Sequence, residues 1–432
     1  MTSPLRPGPL RLGVAGLGTV GAGVVKIAQG RAELLAARAG RPIEIVAVSA
    51  RSRGKDRGID LSAYAWEDDP AALARREDVD VFVELMGGED GPAKAAVEAA
   101  LGRGASVVTA NKAMLAHHGQ AMAEAAEAAG AALKFEAAVA GGIPVVKALG
   151  EGLAANGMGR VLGVMNGTCN YILTEMARTG AAFDEVLAEA QRLGYAEADP
   201  SFDVGGIDAA HKLALLAAMA FGARVDFDGV TLEGIERITP TDLENAADLG
   251  FRIKLLGVAR MTEAGLEQRM TPCLVPATTA LGQLAGVTNA VVLEGDAVGQ
   301  VVLEGPGAGE GPTASAVMAD VVDIARGYSG PAFGAPAAGL AAAARAPDGA
   351  PAAFYLRFAL ADAPGVLAKV AAALGEEGVS IHRMRQQDHA GAEAPVIILT
   401  HPAPRAAIDG ALGRIGAMDD CLAAPVALRV EA

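Results

Sequence analysis

The sequence predicts an α/β protein with three parts: a parallel-sheet domain, an α+β domain and a small C-terminal α+β module. Apolar strands alternate with Ala-rich helices over residues 1–135, and this alternation is typical of a parallel sheet. Over residues 136–304, helices mix with strand-like runs. After an Ala/Pro/Gly-rich segment at 330–352, which has the composition of a linker, residues 353–432 read in β-α-β-β-α-β order. That order is the ferredoxin-like arrangement.

The composition is that of a folded protein and excludes several classes. The chain has 432 residues, enough for two to four domains at roughly 100–200 residues each. Hydrophobic residues make up 52% of the chain, which excludes intrinsic disorder as its main state. A net charge of −15 argues against the positive patches that nucleic acids and anionic membranes require. We therefore expect neither as a partner.

Cysteine usage and the N-terminus indicate a cytoplasmic protein. Cys169, Cys273 and Cys421 lie far apart, so they suggest neither a disulfide framework nor a zinc site. The first residues lack the charged, apolar and small-residue order of a signal peptide. The longest apolar stretch, residues 213–223, is too short to cross a bilayer.

The elements of the first domain follow from apolar runs between Ala-rich stretches. We expect strands at 12–15, 43–50, 79–88, 105–110 and 131–140, and helices at 71–76, 92–102 and 113–129. Further along the chain, a Gly-rich turn feeds a long apolar-striped helix, and we expect residues 305–328 to pack back on this domain.

The second and third parts are read in the same way. We expect helices at 144–155, 183–192, 207–222 and 242–249 and strands at 160–166 and 253–261, then strands at 354–362, 379–387, 395–401 and 424–430 with helices at 364–377 and 403–416. Because the 330–352 segment separates the last module from the candidate catalytic residues below, we expect the chemistry not to need that module.

A glycine motif follows the first strand directly. Gly16, Gly18 and Gly21 form G-x-G-x-x-G around Thr19 and Val20, between that strand and a helix. Glycines let backbone amides approach a pyrophosphate closely, and the helix N-terminus adds partial positive charge. The context predicts a Rossmann-type dinucleotide site; the alternative is a plain glycine turn.

The residues after the second strand favour one dinucleotide over another. An NAD site would place Asp or Glu there for the ribose 2′-OH, but this chain has Arg51, Arg53 and Lys55 and no acid. Basic groups suit a 2′-phosphate, so we expect NADP(H) to be preferred, with NAD(H) possible. The alternative is a solvated basic loop.

An acidic segment near the middle of the chain ends in a lysine. Glu197, Asp199, Asp203 and Asp208 precede Lys212. If a helix begins near residue 206, Asp208 and Lys212 share one face at i and i+4. The following residues are apolar all round, which predicts a buried pair able to orient an ammonium as a proton donor. The alternative is a surface salt bridge.

Two further segments carry polar groups after strands. Lys112 follows the strand at 105–110, at the carboxyl edge of the sheet where ligands bind in open α/β folds; a solvated turn lysine is the alternative. Asn166, Thr168 and Asn170 are small polar groups that follow another strand, with Cys169 among them. Cys169 as a nucleophile is disfavoured because no His lies nearby in sequence to activate it.

Taken together, these segments resemble the homoserine dehydrogenase family of the monofunctional bacterial type. The resemblance covers essentially the whole chain and runs in family order through VAGLGTVGAG, VELMGG, VVTANKAMLA, FEAAVAGGIP, NGTCNYIL, GYAEADPSFDVGGIDAAHK, GPGAGEGPTASAV and DAPGVLAKV. It implies NAD(P)H-dependent reduction of L-aspartate 4-semialdehyde to L-homoserine, on the route to threonine and methionine.

The resemblance also implies roles for individual residues. Lys212 would be the proton donor, with Asp208 and Lys112 beside it. Glu197 would bind the substrate's amino group, and Asn166, Gly167, Thr168, Tyr195 and Asp203 would complete the substrate site. The dinucleotide would contact Gly16, Gly18, Thr19, Val20, Gly21, Arg51, Arg53, Lys55, Thr109, Lys112 and Gly309.

A cation site and a regulatory module are implied as well. Glu136 and the carbonyls of Val139, Gly141 and Ile143 resemble the family's sodium site, and oxygen-only ligands suit a hard cation. The C-terminal module resembles an ACT domain, with its D-x-P-G turn at residues 362–365. We expect a homodimer or homotetramer with L-threonine as a possible effector.

Two other functions stay open at this point. One is an aspartate-semialdehyde dehydrogenase-like enzyme that uses Cys169 as its nucleophile. The other is a dinucleotide- and amino-acid-binding sensor without catalysis. Two positions depart from the family pattern: Cys169 replaces a common Thr, and Glu310 replaces an uncharged residue.

Overall fold

The computed structural model describes residues 8–386 and 393–431, and the chain divides into two compact units. The first unit comprises Met1–Gly167, Asp208–Val230 and Val287–Ala343; the second comprises Thr168–Ile207, Thr231–Gly286 and Ala344–Ala432.

The strands of the described residues, in chain order, are β1 (Leu10–Ala15), β2 (Ile43–Ser49), β3 (Ala65–Glu67), β4 (Val81–Glu84), β5 (Ser106–Thr109), β6 (Leu133–Lys134), β7 (Met158–Val164), β8 (Thr231–Leu232), β9 (Phe251–Thr262), β10 (Gly265–Pro276), β11 (Thr288–Gly295), β12 (Gly299–Pro306), β13 (Phe354–Ala361), β14 (Ile381–Gln386), β15 (Glu393–Thr400) and β16 (Val426–Val430).

The α-helices of the same residues are α1 (Thr19–Gly30), α2 (Ala32–Ala39), α3 (Pro70–Arg75), α4 (Pro92–Gly102), α5 (Lys112–Ala129), α6 (Glu136–Val139), α7 (Val145–Lys147), α8 (Gly167–Thr179), α9 (Phe183–Arg192), α10 (Ser201–Val204), α11 (Ile207–Phe221), α12 (Pro240–Asp248), α13 (Ala280–Gln283), α14 (Glu310–Ala325), α15 (Val366–Glu376) and α16 (Arg405–Gly416). A π-helical turn at Ala148–Gly152 follows α7.

A six-stranded parallel sheet forms the centre of the first unit. Its strand order is β3-β2-β1-β4-β5-β6, so the order reverses between β1 and β4. In open α/β sheets, ligands bind at the carboxyl ends of the strands where the order reverses. The predicted parallel-sheet fold is confirmed, and its switch point lies at the glycine motif.

Helix α14 packs on α1 across Gly23. A Cβ placed on Gly23 would lie 2.8 Å from the Glu310 carbonyl oxygen and 3.0 Å from the Ala314 Cβ, so only glycine lets the two helices approach this closely. Lys26 and Glu310 form an ion pair of 2.8 Å beside this contact. The unusual acid at position 310 therefore has a partner on α1.

The remaining strands of the first unit are antiparallel, and sequence analysis found only one of them. Strand β11 pairs with β7 on one side and with β12 on the other. The expected strand at 160–166 corresponds to β7, whereas β11 and β12 were not predicted.

The second unit contains a mixed sheet and the C-terminal module. The twelve-residue strands β9 and β10 form a long antiparallel hairpin. Strand β10 pairs in parallel with β16, which pairs with β13, followed by β15 and β14. Helices α15 and α16 cover the apolar face of this module. The β-α-β-β-α-β order of the ferredoxin-like prediction is therefore confirmed.

Two segments differ from their sequence-based description. The strand expected at 131–140 ends after two residues, because the chain turns into α6, where the amide of Glu136 donates to Asp320 over 2.9 Å. The Ala/Pro/Gly-rich segment 330–352 is packed rather than loose. Phe333, for example, is buried with its ring centroid 5.2 Å from that of Phe135.

No helix among residues 8–386 and 393–431 combines the length and the apolar character needed to cross a membrane.

Candidate active site

The glycine motif forms a cradle at the switch point of the sheet. Gly16 has φ +94°, and a Cβ there would lie 2.4 Å from the carbonyl oxygen of Leu85 after β4. A Cβ on Gly21 would lie 2.0 Å from the Gly16 oxygen. In contrast, a Cβ on Gly18, the N-cap of α1, would enter open space. Gly16 and Gly21 are therefore required by the fold, whereas Gly18 leaves room for a ligand at the helix N-terminus.

A buried acid, Glu84, accepts hydrogen bonds from the neighbouring loops. The sequence did not predict this residue. Glu84 ends β4 and accepts hydrogen bonds from the Thr109 hydroxyl at 2.5 Å and the Met86 amide at 2.7 Å. Burial raises the pKa of the Glu84 carboxyl, and these hydrogen bonds oppose the rise. The signal was present, because an acid that ends an apolar strand needs partners when buried.

Lys112 is held at the start of α5 by the residue before it. The Asn111 side chain accepts from the Met114 amide at 3.1 Å and donates to the Gly88 carbonyl at 2.7 Å. This N-cap fixes the first turn of α5 against the loop after β4. The predicted position of Lys112 at the carboxyl edge of the sheet is as observed.

The basic loop after β2 lies beside the glycine motif. The guanidinium of Arg57 donates to the carbonyls of Leu17 at 3.0 Å and Ser52 at 2.6 Å. Arg51, Arg53 and Lys55 are exposed. Arg57 was not predicted, and it is the residue that ties this loop to the glycine turn.

Asp208 and Lys212 form the buried pair that their spacing predicts. Both lie on the first turns of α11 and are 8% exposed. The Lys212 ammonium donates to Oδ2 of Asp208 at 2.7 Å and to the carbonyl of Met165 at 2.8 Å. The alternative of a solvated surface salt bridge is therefore wrong.

Two more side chains converge on Asp208 from other elements. The Lys112 ammonium lies 3.0 Å from Oδ1 of Asp208, and the Asn166 amide donates to Oδ2 at 3.2 Å. Burial alone would raise the pKa of the Asp208 carboxyl, but Lys212 and Lys112 outweigh it and hold that pKa well below its usual range. Asp208 is thus a fixed anion between two cations.

This arrangement leaves donor capacity on Lys212. An ammonium group carries three N–H donors, and two of those on Lys212 are used by Asp208 and Met165. Two ammonium groups facing one carboxylate also leave one positive charge in excess. A group that carries a spare donor and excess positive charge can protonate and stabilise an oxygen that develops negative charge.

A cluster of aromatic rings includes His211, the residue before Lys212. The His211 ring lies with its centroid 4.3 Å from that of Phe227 and 5.6 Å from that of His117. Burial, then the neighbouring His117 and Lys112, lower the pKa of His211 to about 4. His211 is therefore neutral at pH 7 and adds no charge beside Lys212.

The predicted substrate residues of the second unit lie on α8 and on the 194–206 segment. The Thr168 hydroxyl donates to the Tyr195 carbonyl at 2.7 Å, and the Cys169 thiol donates to the Asp203 carbonyl at 3.2 Å. Glu197 and Tyr195 are exposed, with their side chains available to a ligand. Cys169 is fully buried, which is unfavourable for a nucleophile.

One of the predicted cation ligands, Glu136, belongs to a buried acidic cluster of the first unit. Both oxygens of the Glu136 carboxylate accept amides, from Val146 and Lys147, at 2.9 Å each. Burial, followed by repulsion from Asp320, raises the pKa of Glu136 to about 7. Lys147 also pairs with Asp320 and Asp323, and Arg326 lies 3.9 Å from Asp323. Three acids therefore face two cations. This excess negative charge fits a bound cation.

The four proposed ligands of that cation are all oxygens. The Ile143 carbonyl also accepts the Val145 amide at 2.8 Å, and Gly141 has φ +58°. A set made of one carboxylate and three carbonyls suits a hard cation.

Comparisons with known proteins identify the family of this chain. Family models for "Homoserine dehydrogenase, NAD binding domain", "Homoserine dehydrogenase" and "ACT domain" match residues 16–136, 144–322 and 354–417. The Homoserine dehydrogenase of Neisseria gonorrhoeae is 45% identical over 412 residues, covering 93% of this chain and 94% of that protein.

Solved structures indicate the same family. A homoserine dehydrogenase from Thiobacillus denitrificans has a TM-score of 0.93 and 42% identity, with 98% of each chain covered. A hyperthermophilic archaeal homoserine dehydrogenase mutant in complex with NADPH has a TM-score of 0.63 and 26% identity, covering 73% of this chain and 97% of that one. Near-complete coverage at such identity leaves one conclusion: the chain belongs to the homoserine dehydrogenase family.

Proposed function

We propose that this chain reduces L-aspartate 4-semialdehyde to L-homoserine with NADPH, and that Lys212 supplies the proton. The observation that supports this most strongly is the arrangement around Asp208. Lys212 lies 2.7 Å from one carboxylate oxygen and Lys112 lies 3.0 Å from the other. A buried, hydrogen-bonded ammonium with one donor to spare matches the needs of a carbonyl reduction.

The proton balance of the reaction determines what Lys212 does. When bound, the reduced nicotinamide supplies a hydride to the aldehyde carbon. The C=O π electrons then move to the oxygen, and Lys212 stabilises that oxygen and donates a proton to it. The product is a primary alcohol, and Lys212 regains its proton from water.

The other residues orient and bind. Asp208, held by Asn166 over 3.2 Å, keeps the Lys212 ammonium in place. Lys112 adds positive charge for the substrate or the cofactor. Glu197 binds the substrate ammonium, and Gly167, Thr168, Tyr195 and Asp203 complete the substrate site.

The chain prefers NADP(H), and NAD(H) serves less well. Arg51, Arg53 and Lys55 follow β2, and Arg57 ties their loop to the carbonyl of Leu17 in the glycine turn. That position suits contact with a 2′-phosphate. The archaeal relative in complex with NADPH lends support. Gly16, Gly18, Thr19, Val20, Gly21, Thr109, Lys112 and Gly309 contact the rest of the dinucleotide.

A sodium ion binds at Glu136 and the carbonyls of Val139, Gly141 and Ile143. Its support is the excess of buried acid around Lys147 and the oxygen-only ligand set. The cation has a structural part here, because it offsets the charge of Glu136 where the chain turns from β6 into α6.

The remaining parts of the proposal concern assembly and regulation. The cofactor domain covers 1–135 with 305–328, the catalytic and dimerisation domain 136–304, the connecting segment 330–352 and the ACT regulatory module 353–432. The enzyme is a cytoplasmic homodimer or homotetramer, and L-threonine is its effector at the ACT module.

A direct assay tests the proposed activity. Purified protein is mixed with L-homoserine and either NADP⁺ or NAD⁺, and absorbance at the wavelength of the reduced nicotinamide is followed. We expect homoserine-dependent reduction, faster with NADP⁺ at limiting cofactor. If neither cofactor is reduced, the proposed function is wrong.

The rival that uses Cys169 predicts a different result. That reaction needs phosphate and a reactive thiol, whereas Cys169 is fully buried and donates to the Asp203 carbonyl. Phosphate-dependent activity with L-aspartate 4-semialdehyde, lost in Cys169→Ser, would support the rival.

A further inference from the structure

Lys254, on β9 in the second unit, is a buried cation outside the catalytic arrangement. It is 5% exposed, and its ammonium donates to Oδ1 of Asn170 at 2.8 Å and, in a short hydrogen bond, to the Leu284 carbonyl. Among the described residues, no carboxylate lies within ion-pair distance of it. Burial, with Arg252 nearby, lowers the pKa of Lys254 to about 8.

An ammonium group that is buried without a carboxylate partner lowers the stability of the fold. Burying a charge against neutral acceptors alone is unfavourable compared with an apolar side chain of the same length. Methionine at this position would fill the space without that cost. A lysine at this position is therefore explained better by the two acceptors that it joins than by the stability of the fold.

Those acceptors connect the first turn of α8 to the segment after α13. Asn170 accepts from Lys254 through Oδ1, and its Nδ2 donates to the Gly286 carbonyl at 2.9 Å. The Lys254 ammonium and the Gly286 carbonyl thus hold the Asn170 amide from its two ends. Without Lys254, the Asn170 oxygen loses a charged donor, and the first turn of α8 loses its link to β9.

The same turn of α8 is held from its other sides. Thr168 donates to the Tyr195 carbonyl at 2.7 Å, and Cys169 donates to the Asp203 carbonyl at 3.2 Å. Three consecutive side chains of the turn are therefore each anchored to a different segment. Lys254 supplies the anchor for the third one.

We propose that Lys254 is a positioning residue for the substrate, acting through Asn170 on the first turn of α8. This inference rests on the proposed function, which assigns Gly167 and Thr168 to the substrate. The first-turn amides of a helix have no intrahelical partner and favour negative charge. A small rotation of α8 therefore changes the affinity for a substrate carboxylate and leaves the dinucleotide site on the first unit unaffected.

The test is a KM-against-kcat comparison on the full chain. In Lys254→Met, we expect the KM for L-homoserine to rise about tenfold or more, while the KM for NADP⁺ and the kcat at saturating homoserine stay within about threefold. Asn170→Ala should give a similar rise. The double variant should be no worse than Asn170→Ala alone, because Lys254 acts through Asn170.

A matched control separates positioning from loss of stability. Arg357→Met breaks the 2.6 Å ion pair to buried Asp242 on other elements of the second unit, so it should lower the melting temperature with no change in the KM for homoserine. If Arg357→Met raises that KM as much as Lys254→Met does, or if Lys254 and Asn170 variants have additive effects, the inference is wrong.

The proposed function and this inference fail in different ways. Absence of homoserine oxidation in the parent protein overturns both. An active parent with an unchanged homoserine KM in Lys254→Met overturns the positioning role alone.

Discussion

Lys112 and Asp208 form a 3.0 Å ion pair although each lies in the first turn of a different helix, α5 and α11. Asp208 is therefore shared by two lysines, since Lys212 holds its other oxygen at 2.7 Å. One consequence is that either lysine can be removed without leaving the buried carboxylate alone. Substitutions at this site thus report on chemistry more than on folding.

Replacing Lys212 with alanine should remove nearly all turnover and keep the fold. The lost group is the proton donor, and general acid catalysis is typically worth about 10² to 10⁴ in rate. Asp208 keeps Lys112 and Asn166 as partners, so the protein should still bind NADPH. Steady-state kinetics and NADPH fluorescence titration measure the two quantities. A kcat within about threefold of the parent would remove Lys212 from the mechanism.

The Lys212 pair shows what local sequence can predict. The i,i+4 spacing and the apolar residues that follow predict a buried pair on one helix face, and the structure has it. The third partner, Lys112, comes from a helix start far away in the sequence. Its position at the sheet edge was predictable, but its contact with Asp208 depends on how the first unit packs.

The site residues that the sequence did not predict were missed for one physical reason. Glu84, Asn111 and Arg57 act by donating to or accepting from the backbone of loops, and such bonds leave no periodic pattern in a sequence. The strands β11 and β12 were missed because the segment between 286 and 309 is rich in glycine and short of alternation. Patterns predict which face is buried; they do not predict which loop a polar side chain meets.

The basic loop can be tested through cofactor choice. Arg51→Ala should weaken NADP⁺ about 10- to 100-fold, since it removes a charge-assisted hydrogen bond to the 2′-phosphate. NAD⁺ has no such group and should be affected little. The ratio of kcat/KM values for the two cofactors is the measurement. Arg31→Ala, on an exposed arginine at the end of α1, is the matched control. Equal losses for both cofactors would mean that the loop is only a solvated surface.

His211 should make the protein less stable in acid. Its pKa in the folded state is about 4, lowered mainly by burial, against about 6.5 in an unfolded chain. Between pH 6.5 and pH 4, His211 is protonated in the unfolded chain but stays neutral in the folded protein. The free energy of unfolding therefore falls as pH falls. From pH 7 to pH 5 the expected loss is about 2 kcal/mol. Urea unfolding at the two pH values measures it.

The comparison must be made between variants. Glu136, whose pKa is raised to about 7, contributes a slope of the opposite sign, so the parent alone does not isolate His211. In His211→Gln the loss between pH 7 and pH 5 should shrink by about 2 kcal/mol relative to the parent. His382→Gln, at an exposed position of β14, should leave it unchanged. Identical pH dependence in parent and His211→Gln would contradict the prediction.

The C-terminal module shares a sheet with the rest of the second unit, although the segment 330–352 before it has the composition of a linker. Strand β16 pairs with β10, and the buried Arg269 holds Glu267 at 2.9 Å and also Glu431. Truncation before residue 351 would expose β10 and leave Arg269 without Glu431, which is destabilising for a buried charge. The expectation that the chemistry does not need this module therefore has to be tested with point variants in the full chain.

Regulation is best tested at the turn before α15. If L-threonine binds one global state of the enzyme better than another, coupling of typical strength would weaken homoserine binding about 5- to 150-fold. Asp362→Ala changes the D-x-P-G turn of the ACT-like module and leaves the β10–β16 contact in place. We expect the variant to keep the parent's activity and to lose inhibition by millimolar threonine. A parent enzyme that ignores threonine would show that the module only assembles subunits, whereas an Asp362→Ala enzyme that is still inhibited would place the effector elsewhere.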